Sequence, residues 1–353
     1  MEVALTDPEH GYYAVGTDRP TRSGDFLTAP ELHPIFGATL GRAIEDQWQA
    51  IGRPDPFEVI EFGAGSGRLA IDILAGLRDR SADLLDAIRY RPIEIVPAKT
   101  AAIAERLASA GFERRIVAPS AREEPNVTET VGMVLANEFL DALPVHRVEQ
   151  TGRGLVEQLV GWSDGQQSFV DVGGPPSTPA LAARLASEGI DLEPGQRAEI
   201  CLALDGWADD LSAAVGRGVA LVIDYGDDAP GLYGRTRRRG TLLAYAGHRA
   251  HEDVLAAVGS QDITAHVDFT AVTTAVERRG WRRLGLASQG SFLAANGLQA
   301  ELEARRNDPA TTTEDYLGLR AALGRLLDPQ ALGGFRVLGL ARGIREGVAI
   351  RGF

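Results

Sequence analysis

From Phe57 onward, short uniformly apolar runs alternate along the chain with longer stretches whose apolar residues recur at helical spacing. That alternation predicts a mostly parallel sheet with helices on both faces. "FEVIEF" reads as a first buried strand and "LAIDILAGLRD" (Leu69 to Asp79) as the helix after it. "RPIEIV" (Arg91 to Val96) is the second strand, and "KTAAIAERLASAG" (Lys99 to Gly111) its helix, closed by a C-terminal glycine. "RRIVAP" is a short third strand, "GMVLANEF" (Gly132 to Phe139) the fourth, and "GVALVIDYG" (Gly218 to Gly226) the fifth, apolar throughout as a strand covered on both faces should be. A helix is expected at Ala271 to Arg279. The strands "WRRLGLAS" and "FRVLGLAR" complete seven, as a pair enclosing a helical insert.

Some of the chain falls outside this alternation. "GLVEQLVGW" and "QQSFVDV", joined by "SDG", have the pattern of an antiparallel hairpin, followed by the linker "GGPPSTP" (Gly173 to Pro179). Four segments are therefore expected: an N-terminal cap over 1–56, a ligand-binding half of the core over 57–150, an inserted hairpin and helical segment over 151–214, and the C-terminal half of the core with its helical insertion over 215–353. The extra segments must cover the substrate side or form an interface, which leaves a homodimer open.

The loop that ends the first strand asks for a ligand. In "FEVIEFGAGSGRLA", Gly63, Gly65 and Gly67 stand at alternate positions, where backbone N–H groups can approach a ligand with no Cβ in the way. A dinucleotide fingerprint would need its third glycine at position 68, which is Arg68. With Glu61 two residues before the first glycine, the pattern is E-x-G-x-G-x-G, typical of S-adenosylmethionine (SAM) sites. SAM has no pyrophosphate to neutralise, but it carries an ammonium, a carboxylate and a sulfonium. With seven strands this is the class I (Rossmann-like) methyltransferase arrangement, plus inserted substrate-side elements. A ligand-free glycine turn is the plain alternative.

In open α/β sheets, ligands bind outside the carboxyl ends of the strands, and two further strand ends here carry acids. Glu94, in the second strand, can accept from both hydroxyls of a ribose or stand as a surface acid. Asn137 and Glu138 leave the fourth strand in "ANEFLDALPVH", and one helical turn would put Asp141 on the same face as Glu138; Asp141 can equally be a helix-start acid. Methyl transfer is an in-line displacement, so positioning dominates it. If the nucleophile is a guanidinium nitrogen, carboxylates can grip its planar fork and localise its charge away from the attacking atom. In "DITAHVDF", His266 and Asp268 point the same way on a strand. His266 is a candidate acceptor for the released proton, or half of a structural pair. His248 and His251 in "GHRAH" make a weak metal case, so no metal is expected.

Composition narrows the class. With 353 residues, 44% hydrophobic and 24% charged, the chain is an ordinary globular protein. It has no run of about 18 apolar residues for a membrane span, and "MEVALTDPEHGYY" lacks a signal-peptide pattern. Cys201 is the single cysteine, so no internal disulfide forms, and a cytoplasmic location is expected. A net charge of −13 argues against nucleic-acid binding and for a protein or peptide partner with a basic segment. The basic cluster "RTRRR" (Arg235 to Arg239) is either a solvated loop or a contact for a phosphate or an acidic partner.

Together, "GYY", "GDFLTAPELHPIFGATLG", "EFGAGSGRLAIDIL", "NEFLDALPV", "VIDYG", "GTLLAY", "DITAHVDF" and "QGSFLAANG" resemble the MidA family of SAM-dependent methyltransferases, in order along nearly the whole chain. The mitochondrial member of that family is a complex I assembly factor that methylates a protein arginine. The resemblance implies a class I core, SAM as donor with S-adenosylhomocysteine as product, and protein arginine as acceptor. It places the SAM loop on Glu61, Gly63, Gly65 and Gly67, the ribose acid on Glu94, and the substrate-side motif on Asn137, Glu138 and Asp141. It further implies that "GDFLTAP" lies over the cofactor, with Asp25, Thr28 and Glu31 facing the site. Val96 stands where many relatives have a serine after the ribose acid. A methyltransferase for a small metabolite or processed peptide, and a catalytically silent assembly chaperone, are the alternatives.

Overall fold

The computed structural model describes residues 1–15, 28–78, 80–117, 130–247, 249–345 and 350–353. The chain forms two compact units that interleave along the sequence: Met1–Phe26, Phe139–Asp209 and Tyr225–Arg278 make one, and Leu27–Glu138, Asp210–Asp224 and Arg279–Phe353 the other. The four segments expected from the sequence cut across these units.

The second unit holds the main sheet. Its strands are β1 (Phe57–Phe62), β2 (Ile88–Ile93), β3 (Val131–Asn137), β8 (Arg217–Asp224), β14 (Arg282–Ser288) and β15 (Arg336–Arg342), in the order β14-β15-β8-β3-β1-β2. β1, β2, β3 and β8 pair in parallel, while β15 runs antiparallel to both of its neighbours. The late strand pair is thus present, and the sheet is mostly parallel. Among the described residues it has six strands. The expected third strand is represented by one parallel bridge between Tyr90 and Ile116; its last residues lie outside the described ones.

Apolar periodicity set the flanking helices. Arg68–Arg78 buries Leu69, Ile73 and Leu77 at spacings of four, and Pro97–Ser109 buries Ile103 and Leu107. The helix Ile35–Ala50, expected as part of a cap, instead buries Phe36, Leu40 and Ile44 in the same core cluster as Leu69 and Ile73. β2 begins and ends three residues before the expected bounds, so Glu94 stands just past its tip rather than within it.

The first unit is built on smaller sheets. β4 (His146–Thr151), β5 (Gly154–Ser163), β6 (Ser168–Gly174) and β7 (Arg197–Ile200) form an antiparallel sheet of order β6-β5-β4-β7, with the expected hairpin at β5–β6. β9 (Gly226–Asp227) pairs with β13 (Val267–Asp268), and β10 (Leu243–Ala246) lies between β11 (Arg249–His251) and β12 (Asp262–Thr264). These strands are too short and too polar at their ends to be separated from loop by pattern alone.

Candidate functional site

In the sheet-bearing unit the carboxyl ends of β1, β2 and β3 carry the predicted residues side by side. Gly63, Gly65 and Gly67 have φ of +66°, +55° and +73°, left-handed backbone that explains the choice of glycine. The turn is held to the sheet by Gly63 N–H donating to the Ile93 carbonyl at 3.0 Å. The Gly65 N–H donates to Glu94 Oε1 at 2.5 Å, so the loop and the expected ribose acid are in direct contact. Burial pushes the Glu94 carboxyl up, with the Gly65 N–H acting against that shift.

Glu61 is buried inside β1 and accepts the Tyr90 hydroxyl at 2.6 Å. Burial pushes its pKa up to about 8, partly opposed by the Tyr90 hydrogen bond. Nothing in the sequence pattern singled out Tyr90, whose partner is 29 residues away.

Asn137 closes β3, and Glu138 follows it with φ of +49°, a conformation a non-glycine residue holds only when its surroundings enforce it. The Glu138 N–H donates to the Ile223 carbonyl at 2.8 Å, while Glu138 Oε1 accepts from Asn137 Nδ2 at 3.2 Å and from the Ala29 N–H at 3.1 Å. Ala29 starts the short helix Ala29–Leu32, capped reciprocally by Thr28 and Glu31. Thr28 therefore stands beside the end of β3, and both it and Glu31 are engaged in capping. Asp25 lies outside the described residues, as does His248.

The helical turn expected to align Glu138 with Asp141 does not form that way. Glu138 is left-handed and outside the turn, which begins at Leu140 and runs to Ala142 as a 3-10 helix. Asp141 belongs to the other unit, where it is buried and accepts the Tyr225 hydroxyl. Burial, and then the nearby Asp262 carboxylate, raise the Asp141 pKa, with the Tyr225 bond acting against them. Asp262 in turn accepts the Tyr13 hydroxyl at 2.7 Å. Tyr13, Tyr225 and Asp262 lie in "GYY", "VIDYG" and "DITAHVDF", motifs read from the sequence without a role for these residues.

His266 and Asp268 are not partners. Asp268 caps the helix Phe269–Glu277, its Oδ1 accepting from the N–H groups of Thr270 at 2.9 Å and Ala271 at 3.0 Å. His266 Nδ1 faces Arg237 at 3.0 Å instead. Burial, reinforced by Arg237, holds the imidazole pKa down to about 4, so the ring is neutral and a weak base at pH 7. Cys201 is pushed up to about 11 by burial and is no nucleophile. Among the described residues no cluster of histidine, cysteine or acid could hold a metal ion, and no helix is long and apolar enough to cross a membrane.

The residues around the glycine turn fit a sulfonium nucleoside. A Cβ added at Gly65 would meet nothing nearer than the Gly63 carbonyl oxygen at 3.9 Å, so the space over the turn is open. Asn137 Oδ1 is a buried acceptor without a hydrogen-bond partner among the described residues. Glu94 supplies a carboxylate at the strand tip.

Similarity to known proteins agrees. A family model of SAM-dependent methyltransferases matches residues 39–287. The chain is 30% identical to the mitochondrial protein arginine methyltransferase NDUFAF7 homolog of Drosophila melanogaster, over 98% of this chain and 80% of that protein. It is 31% identical to the mitochondrial protein arginine methyltransferase NDUFAF7 of Mus musculus, over 94% of this chain and 77% of that one. A crystal structure of a Burkholderia thailandensis protein bound to S-adenosyl-homocysteine superposes with a TM-score of 0.85 at 33% identity, covering 99% of this chain and 87% of that one. The chain belongs to this family of SAM-dependent methyltransferases, the class I assignment its motifs implied is upheld, and SAM is its methyl donor.

Proposed function

We propose that the methyl acceptor is an arginine side chain of a protein, presented on a basic segment. The observation that carries this reading is Glu138, an acid enforced in left-handed backbone at the carboxyl end of β3, where its Oε1 is fixed by two N–H donors. A guanidinium is planar and permanently charged, and fixed carboxylates suit it better than they suit a hydroxyl or amine. In this reading Glu138 holds the guanidinium, and Asn137 lines the space toward the donor. Glu94 takes the ribose hydroxyls, Glu61 the methionine ammonium, and the glycine turn the rest of the amino-acid moiety. SAM supplies an electrophilic methyl group; the chain's task is to orient the acceptor and exclude water. The names of the Drosophila and mouse relatives support an arginine acceptor.

A seven-stranded core and a homodimer belong to the same reading. The Tyr90–Ile116 bridge supports the former. Exposed Val160, Trp162 and Phe169 on the β5–β6 hairpin support the latter.

Transfer from labelled SAM into a lysate, separated into protein and small-molecule fractions, tests the acceptor. Label in protein arginine is expected. Label confined to small molecules would assign a metabolite acceptor, and SAM binding without transfer would assign a chaperone.

A further inference from the structure

The first unit contains a cavity of about 290 Å³ whose lining carries several arginines beside Glu199 and Glu252, in a chain of net charge −13. Four of its lining residues are arginines: Arg147 from β4, Arg197 from β7, and Arg237 and Arg239 from the loop the sequence marked as a basic cluster. That loop is not free in solvent. Its Arg238 carbonyl accepts the Arg197 N–H at 3.0 Å, and Arg197 and Arg239 form a parallel bridge, so the segment is fixed along the edge of a sheet.

Three of the four guanidinium groups are matched to carboxylates: Arg147 to Asp171, Arg197 to Glu149 and Arg239 to Glu252. Arg237 is the exception. Among the described residues it forms no ion pair, and its side chain donates to His266 Nδ1, a neutral imidazole. Of the two acids in the cavity wall, Glu252 pairs with Arg239, and Glu199 is buried, its Oε2 accepting the Thr241 N–H at 2.7 Å and the Thr241 hydroxyl at 3.0 Å. A half-buried guanidinium held by a neutral ring, among arginines that each have a carboxylate, is an electrostatically unfinished arrangement. An anion would complete it.

We propose that this cavity binds an oxyanion, a carboxylate or phosphate group, on the Arg237 guanidinium. The fork of Arg237 offers paired N–H donors matched to the two oxygens of such a group. The volume lies at the low end of ligand pockets, which suits one acidic side chain or one phosphate and not a whole nucleotide. The claim is independent of the acceptor proposed above, since it concerns binding alone.

Two probes distinguish the source of the oxyanion: inorganic phosphate, and a short blocked peptide with a central aspartate, each titrated calorimetrically into the whole protein at constant ionic strength. Saturable binding of at least one is expected, weakened at least tenfold by Arg237→Gln and unchanged by Arg235→Gln, whose side chain is 87% exposed and points to Glu193 instead. Affinity for S-adenosylhomocysteine should be the same in all three proteins. Tighter phosphate assigns a free phosphate, tighter peptide an acidic polypeptide. No saturation by either, or equal binding by Arg237→Gln, overturns the proposal. Should that variant not fold, protection of Arg237 in the native protein from phenylglyoxal, read by mass spectrometry, replaces it. Equal labelling with and without the probes is then the overturning result.

Discussion

Glu138 Oε1 accepts the backbone N–H of Ala29 at 3.1 Å, joining the end of β3 to a helix that begins 109 residues earlier. The contact ties the two most distinctive motifs of the chain, "GDFLTAPE" and "NEFLDALP", to one carboxylate. Glu138→Gln keeps an oxygen for the Ala29 N–H and loses only the charge. SAM affinity should stay within about twofold, while methyl transfer falls by a factor on the order of 10² or more. Single-turnover transfer from labelled SAM measures this, and equal rates in the two proteins would remove Glu138 from the reaction.

The glycines of the turn differ in what they protect. A Cβ at Gly67 would sit 2.8 Å from Ile103 Cγ2, whereas one at Gly65 meets open space. Gly67→Ala should therefore lower folding stability by roughly 2–4 kcal/mol, through left-handed strain plus overpacking. Gly65→Ala should cost only about 1–2 kcal/mol of strain, yet weaken SAM at least about tenfold. Denaturant titration and calorimetry separate the two; a Gly65→Ala protein with native affinity would place the cofactor elsewhere.

With the ammonium on Glu61, as proposed, cofactor binding is coupled to pH. Its folded-state pKa, about 8, lies above the ordinary value of 4.5 because the carboxyl is buried. Its stability contribution is thus fully present below about pH 4.5 and is lost as pH rises toward 8. Binding of an ammonium draws on the ionised form, so SAM affinity should increase from pH 6 to 8 and then level off, with a proton released at the lower pH. Calorimetry in buffers of differing ionisation enthalpy detects that proton. Affinity independent of pH over this range would separate Glu61 from the ammonium.

Asp268 is a helix cap, not half of a catalytic pair. Asp268→Ala should destabilise the protein by about 0.5–2 kcal/mol and leave kcat unchanged at temperatures where the variant is folded. Loss of turnover with an unchanged melting temperature would restore Asp268 to the chemistry.

Much of this was legible in the chain because the interactions involved are local or periodic. Uniformly apolar strands, helical spacing and a turn needing three left-handed residues each leave a mark within about a dozen positions. They marked the class I core, the left-handed glycine turn after β1 and the acids at the strand tips. The helix Ile35–Ala50 is an instructive loss. Its apolar positions were visible, but membership of the core depends on what they pack against, and Leu69 and Ile73 lie on another element.

The alphabet and spacing of residues determined that a glycine turn with an acid before it would stand at the end of a parallel sheet in a SAM-dependent methyltransferase. Only the tertiary structure decided that Asp268 caps a helix, that His266 meets Arg237, and that Tyr90 and Tyr225 each donate to a buried acid. The reason is physical: a side chain's partner and its exclusion from water are set by contacts across tens to hundreds of residues, and no spacing along the chain records them.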